Sequence, residues 1–151
     1  MRLEGTKEFD ATREVVWSVI NDPEAMARTM PGVESFAIAD DTHWSAKVKV
    51  PLGLGGLKMS IAFTKLEERP LEFASLNAKG QGVGAMMNMT TSFSLSGDGE
   101  TTSMAWEADV KIAGPVGSMG QRVLQPIINQ QVGNVLAALD AEVQSAKAAA
   151  G

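Results

Sequence analysis

The sequence predicts an α+β domain in which a seven-stranded antiparallel sheet curls around one long C-terminal helix. Three observations support this prediction. The length of 151 residues is that of a single domain. Apolar residues recur with a period of two from residue 33 onward, as they do in half-buried strands. A helical period then replaces it near the C-terminus.

The N-terminal region predicts one strand followed by two short helices. Apolar and polar side chains alternate over residues 2–10, as they do in a strand. Thr12 can cap the first helix, because its hydroxyl can accept a hydrogen bond from a free backbone N–H. Pro23 suits the first position of a second helix over 24–29, which stops before the turn pair Pro31-Gly32.

The next segment predicts a half-buried hairpin. Phe36 and Ile38 alternate with small or polar residues, and the chain turns at 40–42. An alternating apolar set follows it on one face: Trp44, Ala46, Val48 and Val50. This alternation is typical of an antiparallel sheet with one face on a core.

Two more hairpins are predicted, the first from strands 57–66 and 71–80 and the second from strands 85–96 and 101–112. Pairing Leu66 with Leu71, and Phe93 with Met104, brings the apolar residues of each hairpin to one face. A slip of one residue would destroy that match, which favours both hairpins.

The last element is predicted to be a helix with one apolar stripe. The stripe consists of Leu124, Ile128, Val132, Val135, Leu139 and Val143. Pro126 lacks a backbone N–H, so the helix is either kinked there or begins near it. We assign residues 1–147 to one domain and expect a short disordered tail at 148–151.

Composition argues against several classes of function. The net charge is −5 and the basic residues are scattered, which argues against a nucleic-acid partner. The absence of cysteine excludes disulfides and thiolate zinc sites. The N-terminus lacks the apolar segment of a signal peptide, and no stretch approaches 18 apolar residues. We therefore expect a cytoplasmic protein with at most peripheral membrane contact.

Catalysis and metal binding find little support. His43 is the only histidine, tyrosine is absent, and no paired carboxylates fall on the apolar faces. General acid–base chemistry needs a titratable group within reach of the substrate. We predict no catalytic residue, no metal site and no cofactor other than a bound quinone or lipid-like ligand. We expect the two glycine-rich segments, Gly53–Gly56 and Gly80–Gly84, to be either tight connections between strands or the rim of a cavity.

Methionine is in excess, with nine residues. Methionine side chains suit adaptable apolar surfaces. The methionines on the inner face of the predicted sheet therefore indicate either an ordinary core or a ligand cavity. The candidate ligand-binding residues are Met59, Ile61, Phe63, Met87, Met89, Thr91, Met104, Trp106, Leu124, Ile128 and Gln131.

Short segments spread along the chain carry a family resemblance. They are Leu3-Glu4-Gly5, Val16-Trp17, Asp22-Pro23-Glu24, Met30–Glu34, Val50–Leu57, Glu67–Pro70, Gly80–Gly84, Gly114–Gly117 and Gly120-Gln121-Arg122. In order and spacing the chain resembles the family of the carbon monoxide dehydrogenase G subunit, within the START-related, birch-pollen-allergen-like (SRPBCC) superfamily. The resemblance implies a helix-grip fold with an apolar cavity between sheet and helix.

The resemblance also implies a role beside a molybdenum-containing carbon monoxide dehydrogenase or related hydroxylase. The expected protein is a non-catalytic accessory that binds a hydrophobic small molecule and supports maturation or membrane and quinone coupling, at the inner face of the cell membrane. Two alternatives remain: an assembly factor that docks through Met30–Glu34 with an incidental cavity, and an enzyme similar to polyketide cyclases or dehydratases.

Overall fold

The computed structural model describes residues 1–52 and 55–150, with side chains described for 1–50 and 56–150. The elements in chain order are β1 (Arg2–Phe9), α1 (Arg13–Ile20), α2 (Pro23–Arg28), β2 (Val33–Ile38), β3 (His43–Leu52), β4 (Gly55–Arg69), β5 (Phe73–Gly82), β6 (Ala85–Ser96), β7 (Thr102–Ala113), a 3₁₀ turn (Gly117–Met119) and α3 (Gln121–Ala150). The predicted α+β helix-grip architecture is confirmed.

The strands form one antiparallel sheet of seven strands in the order β1-β7-β6-β5-β4-β3-β2. Strands β2 to β7 follow one another as hairpins, and β1 pairs with β7. Successive turns therefore alternate between the two ends of the sheet. The central region of the sheet includes β5, which is covered on its inner face and has strands on both sides.

Helix α1 begins at its predicted cap, Thr12, and α2 begins at Pro23 as predicted, with Asp22 as its cap. The Thr12 hydroxyl accepts a hydrogen bond from the Val15 N–H at 3.4 Å, and the Asp22 carboxylate accepts one from the Glu24 N–H at 3.0 Å. Arg28, at the end of α2, donates two hydrogen bonds to the Glu142 carboxylate of α3, at 2.8 and 3.1 Å. This bidentate pair joins α2 to α3, and the hydrogen bond to Glu142 raises the pKa of Arg28.

Helix α3 is continuous from Gln121 and contains Pro126, so it does not begin at the proline. Its apolar stripe faces the sheet. The C-terminal half is anchored by Leu139 and Val143, which are completely or almost completely buried. Residues 148–150, predicted as a tail, continue the helix to Ala150. Gly151 lies outside the described residues.

The register of the β4–β5 hairpin differs from the prediction by four residues. Ile61 lies opposite Gly80, Phe63 opposite Ala78, and Met59 opposite Gly82. A register shift between Lys65 and Glu67 removes Leu66 from the ladder, so the predicted Leu66–Leu71 pair does not form. The faces were predicted correctly because a displacement by an even number of residues preserves side-chain orientation.

The β6–β7 hairpin is displaced by two residues. Phe93 lies opposite Trp106 instead of Met104, and Thr91 lies opposite Ala108. The strand β7 begins only at Thr102, whose buried hydroxyl donates a hydrogen bond to the Ala11 carbonyl at 2.8 Å. This long-range bond holds the start of β7 against the β1–α1 connection, and it leaves a longer turn than the sequence suggests.

The edge strand β2 departs from the predicted half-buried pattern. The side chains of Phe36 and Ile38 are exposed by 39% and 42%. Their partner strand β3 is covered, with Trp44, Ala46 and Val48 buried. Strand β2 is an edge strand whose inner face is not fully covered at Phe36 and Ile38, unlike the other edge strand, β1, whose Leu3 and Phe9 are buried.

Candidate functional site

A cavity of about 260 Å³ lies between the inner face of the sheet and α3. Its volume is just below the range of roughly 300–1,000 Å³ that is usual for ligand pockets. Strands β3 to β7 supply its floor, and the N-terminal half of α3 covers it. The loop after α2 closes one side through Met30 and Pro31.

Small residues lie beside the cavity on the central strand. Ala78, Gly80 and Gly82 share the inner face of β5 with Leu76, which lines the cavity. A Cβ atom on Gly80 would lie 3.1 Å from the Met59 sulfur and 3.3 Å from the Met87 methyl carbon. The two methionines thus flank the space above Gly80.

Ten of the eleven predicted site residues line the cavity. They are Met59, Ile61, Phe63, Met87, Met89, Thr91, Trp106, Leu124, Ile128 and Gln131. Met104 is the exception, and its prediction as a lining residue is corrected. It is completely buried in the hydrophobic core with Phe9 and Leu139, and it does not line the cavity.

A second group of lining residues was not predicted from the sequence. Trp44, Val48, Met30, Pro31 and Val116 also line the cavity. Trp44 and Val48 lie opposite Phe63 and Met59, so pairing β3 with β4 would have identified them. The loop residues carry no periodic signal, and only the three-dimensional fold brings them to the cavity.

Two tryptophans are held rigidly at the cavity. The Trp44 ring stacks on Phe63 with centroids 5.4 Å apart and an interplanar angle of 7°. Trp106 lies against Gly5 of β1, where a Cβ atom would be only 2.7 Å from the indole ring. Glycine at this position therefore allows the Trp106 ring to lie across the neighbouring strand.

Three buried polar groups in the described part of the chain lack a hydrogen-bond partner in the protein. They are the indole N–H groups of Trp44 and Trp106 and the hydroxyl of Thr91. All three residues line the cavity. An unpaired buried polar group costs roughly 1–3 kcal/mol, so these groups mark where a ligand atom would be stabilised.

The lining is uncharged over the described residues. Its polar side chains are threonines, tryptophans and Gln131, and it contains no carboxylate, amine, guanidinium or imidazole. A charged ligand would lose its hydration there without gaining a partner. The arrangement therefore suits an uncharged, mostly apolar molecule.

His43 lies away from this site, as the exposed first residue of β3, directly after the turn at 40–42 in which the sequence was expected to place it. Its Nδ1 is 3.1 Å from a carboxylate oxygen of Asp40, and that oxygen also accepts a hydrogen bond from the Thr42 N–H at 2.8 Å. The Thr42 N–H and His43 lower the pKa of Asp40 to about 2. Glu107 and Asp109 of β7 are exposed.

The glycine-rich segments lie at one end of the sheet. Gly82 ends β5 and Gly84, with a φ of 77°, forms the tight turn into β6. The Gly80–Gly84 segment is thus a strand end and a tight connection, which is one of the two predicted possibilities. Gly53 and Leu54 lie outside the described residues. In the described chain, no helix has the length and hydrophobicity to cross a membrane.

Comparisons with known proteins agree with this geometry. The family model of the carbon monoxide dehydrogenase G subunit (CoxG) matches residues 5–144. No curated protein sequence matches the chain significantly. A conserved protein from Geobacillus kaustophilus has a similar structure, with a TM-score of 0.87, 19% identity and coverage of 96% of both chains.

Two further solved structures share the fold. A START superfamily protein from Mycobacterium smegmatis has a TM-score of 0.72 and 16% identity, covering 95% of this chain and 97% of that one. The Zhui aromatase/cyclase from Streptomyces sp. R1128 has a TM-score of 0.70 and 15% identity, covering 95% and 93%. At these identities the likeness concerns the fold.

Proposed function

Because this chain belongs to the CoxG family, and because its cavity is apolar and uncharged, we propose that it is a non-catalytic binding protein for a hydrophobic small molecule. The observation that carries the proposal is the cavity itself, whose lining combines aliphatic, methionine and aromatic side chains with unpaired hydrogen-bond donors. Such a lining holds an apolar body and orients it through a few polar atoms.

The unpaired groups define the ligand further. An indole N–H can only donate a hydrogen bond, and a threonine hydroxyl can donate or accept. A matching ligand is therefore uncharged and carries acceptor oxygens, such as the carbonyl groups of a quinone or of a lipid ester. Of these two chemistries we favour a quinone, because Trp44, Trp106 and Phe63 give the lining aromatic rings with which a flat ring can interact.

The ligand also suggests the biological setting. The family name supports a place beside carbon monoxide dehydrogenase, and we propose that the protein supports maturation or membrane and quinone coupling of such a molybdenum hydroxylase. The assembly-factor alternative uses Met30–Glu34 as a docking surface. Met30 and Pro31 line the cavity, so a partner bound to this loop would also act on the ligand site.

Native mass spectrometry of the purified protein, followed by organic extraction, tests the proposal directly. We expect a bound quinone or lipid of defined mass, or uptake of naphthoquinone by ligand-free protein. A mass that remains that of the bare chain after incubation with quinones and lipids would contradict the binding function. That result would favour the assembly factor with an incidental cavity.

The donor role of Trp106 can be tested by the Trp106→Phe variant. We expect naphthoquinone binding, followed by tryptophan fluorescence quenching, to weaken about five- to tenfold because one hydrogen bond is lost. Binding of naphthalene, which has no acceptor oxygen, should change little. The matched control is Trp17→Phe, since Trp17 lies on α1 and outside the cavity lining. An equal loss for both ligands would contradict the hydrogen bond.

A further inference from the structure

Methionine sulfur is concentrated at the cavity. Five of the nine methionines line it: Met26, Met30, Met59, Met87 and Met89. The chain has no cysteine, so methionine is its only sulfur-containing residue. Oxidation of a methionine thioether to the sulfoxide turns a flexible apolar side chain into a polar, chiral one. The apolar lining is therefore also the part of the molecule that holds most of its oxidisable sulfur.

The methionines of β6 and β7 differ in their accessibility. Met86, on the outer face of β6, is 57% exposed, whereas Met104 of β7 is completely buried. Met87 and Met89 lie between these extremes, because both are half-buried and line the cavity. A half-buried side chain keeps surface that a water-sized molecule can touch, and hydrogen peroxide is little larger than water. Both side chains are therefore open to a small peroxide.

The cavity also provides room for the product of oxidation. Met87 and Met89 border a space of about 260 Å³, so a sulfoxide oxygen can be placed there without displacing packed side chains. Met104 has no such space, because it is completely buried in the hydrophobic core and does not line the cavity. A close-packed core resists the insertion of even one additional heavy atom.

Partners for the oxidised side chain are already present at the cavity. A sulfoxide oxygen accepts hydrogen bonds, and the unpartnered indole N–H groups of Trp44 and Trp106 and the Thr91 hydroxyl can donate them. Thr91 follows Met89 by two residues on β6, so their side chains are neighbours on the inner face. A donor near the sulfoxide lowers the cost of placing a polar group in this lining.

Peroxide oxidation of this methionine pair would make an apolar part of the lining polar. We propose that Met87 and Met89 form a site of oxidation by hydrogen peroxide, and that sulfoxide formation there weakens the binding of the apolar ligand. In each reaction a sulfur lone pair attacks one peroxide oxygen. The S–O bond forms as the O–O bond breaks, sulfur loses two electrons, and the second oxygen leaves as water.

The sulfoxides oppose ligand binding in two ways. They replace apolar contacts with polar ones, and their oxygens compete with the acceptor oxygens of the ligand for the unpartnered donors. We expect the affinity for naphthoquinone to fall about tenfold or more when both residues are oxidised. Methionine sulfoxide reductases reverse the reaction, so the loss is reversible. This effect on binding rests on the proposed function, whereas the modification itself does not.

Peptide mapping tests the modification without any ligand. Trypsin releases residues 80–111 as one peptide, because no lysine or arginine lies between Lys79 and Lys111. The methionines of this peptide are exposed, at the cavity or in the core, and fragmentation distinguishes them: Met86, Met87, Met89 and Met104. In folded protein treated with hydrogen peroxide, we expect Met86 to be oxidised first and the cavity pair next, while Met104 remains a thioether. A cavity pair that resists oxidation as fully as Met104 would overturn the proposal.

Titration with naphthoquinone, before peroxide treatment and after removal of the peroxide by catalase, tests the effect on binding. The unmodified protein should lose affinity, and reduction by methionine sulfoxide reductases should restore it. In the variant with Met87→Leu and Met89→Leu, peroxide should leave the affinity at its starting value, because leucine cannot be oxidised. The matched control is Met86→Leu, which removes the adjacent sulfur from the outer face and should lose affinity on oxidation like the unmodified protein.

The outcomes separate this proposal from the proposed function. If untreated protein binds neither naphthoquinone nor lipids, the proposed function fails, and the peptide mapping still decides whether the methionine pair is a modification site. If untreated protein binds naphthoquinone and keeps its affinity after both residues are oxidised, the effect of the sulfoxides on binding is overturned. An equal loss of affinity in the double variant and in Met86→Leu would assign the effect to other residues and would contradict the proposal.

Discussion

Replacing Gly80 by leucine is expected to abolish ligand binding while the protein remains folded. The new side chain would extend from the central strand into the space between Met59 and Met87. The two atoms nearest the new Cβ, the Met59 sulfur and the Met87 methyl carbon, belong to flexible side chains, so the sheet can accommodate the leucine at a cost of roughly 1–3 kcal/mol. The leucine would fill space that the ligand occupies and would remove apolar contacts to it. We expect the affinity of the variant for naphthoquinone to fall about 100-fold or more.

The matched control for this variant lies on the other side of the sheet. Ala62 on β4 is exposed and lies opposite Lys79 of β5 in the ladder. The substitution Ala62→Leu adds a side chain of similar size outside the cavity. Titration by tryptophan fluorescence should show unchanged binding for Ala62→Leu. If Gly80→Leu bound naphthoquinone as tightly as the unmodified protein, the ligand would not occupy the space above β5.

Replacing Gly32 by alanine is expected to destabilise the fold by roughly 2–4 kcal/mol. Gly32 has a φ of 71°, and an added Cβ would meet the carbonyl oxygen of Lys49. Neither backbone can move freely, because the Lys49 N–H donates a hydrogen bond to the Gly32 carbonyl at 2.9 Å. Chemical denaturation, followed by tryptophan fluorescence, measures the change in the free energy of unfolding.

A second glycine provides a control with the opposite sign. Gly133 is exposed within α3, and a Cβ atom there would have no neighbour within 4 Å. Gly133→Ala should stabilise the protein by about 0.5–1 kcal/mol, because alanine loses less backbone entropy in a helix. If Gly32→Ala left stability unchanged, the left-handed turn before β2 would not constrain the fold.

The order of elements could be predicted from the sequence because periodicity reports local burial. Register could not be predicted, because it depends on contacts between distant residues. The β6–β7 hairpin carries the Thr102 hydrogen bond to Ala11, the β4–β5 hairpin carries the shift at Leu66, and neither feature leaves a periodic signal. The alternation of Phe36 and Ile38 was correct as a strand signal, but it carried no information about the position of β2 at the sheet edge.

The candidate site was predictable where it lies on regular elements. Inward positions on β4, β6 and α3 were identified from parity and helical spacing alone. Met104 shares that parity but lies beyond the cavity, because parity cannot show how far along a strand a cavity extends. Ala78 and Gly80 leave the inner face of β5 without large side chains, and a small residue in a strand pattern indicates only a weak strand former.

The covering of the cavity by α3 has a consequence for its motions. The C-terminal half of this helix is held by Leu139 and Val143 in the core and by the Glu142–Arg28 pair. The N-terminal half contains Pro126, whose missing N–H removes one helical hydrogen bond, and it rests mainly on the cavity. Local unfolding starts where buried contacts are fewest. The amide hydrogens of the first turns should therefore exchange with solvent sooner than those near Leu139, and the helix that covers the ligand would also be its gate.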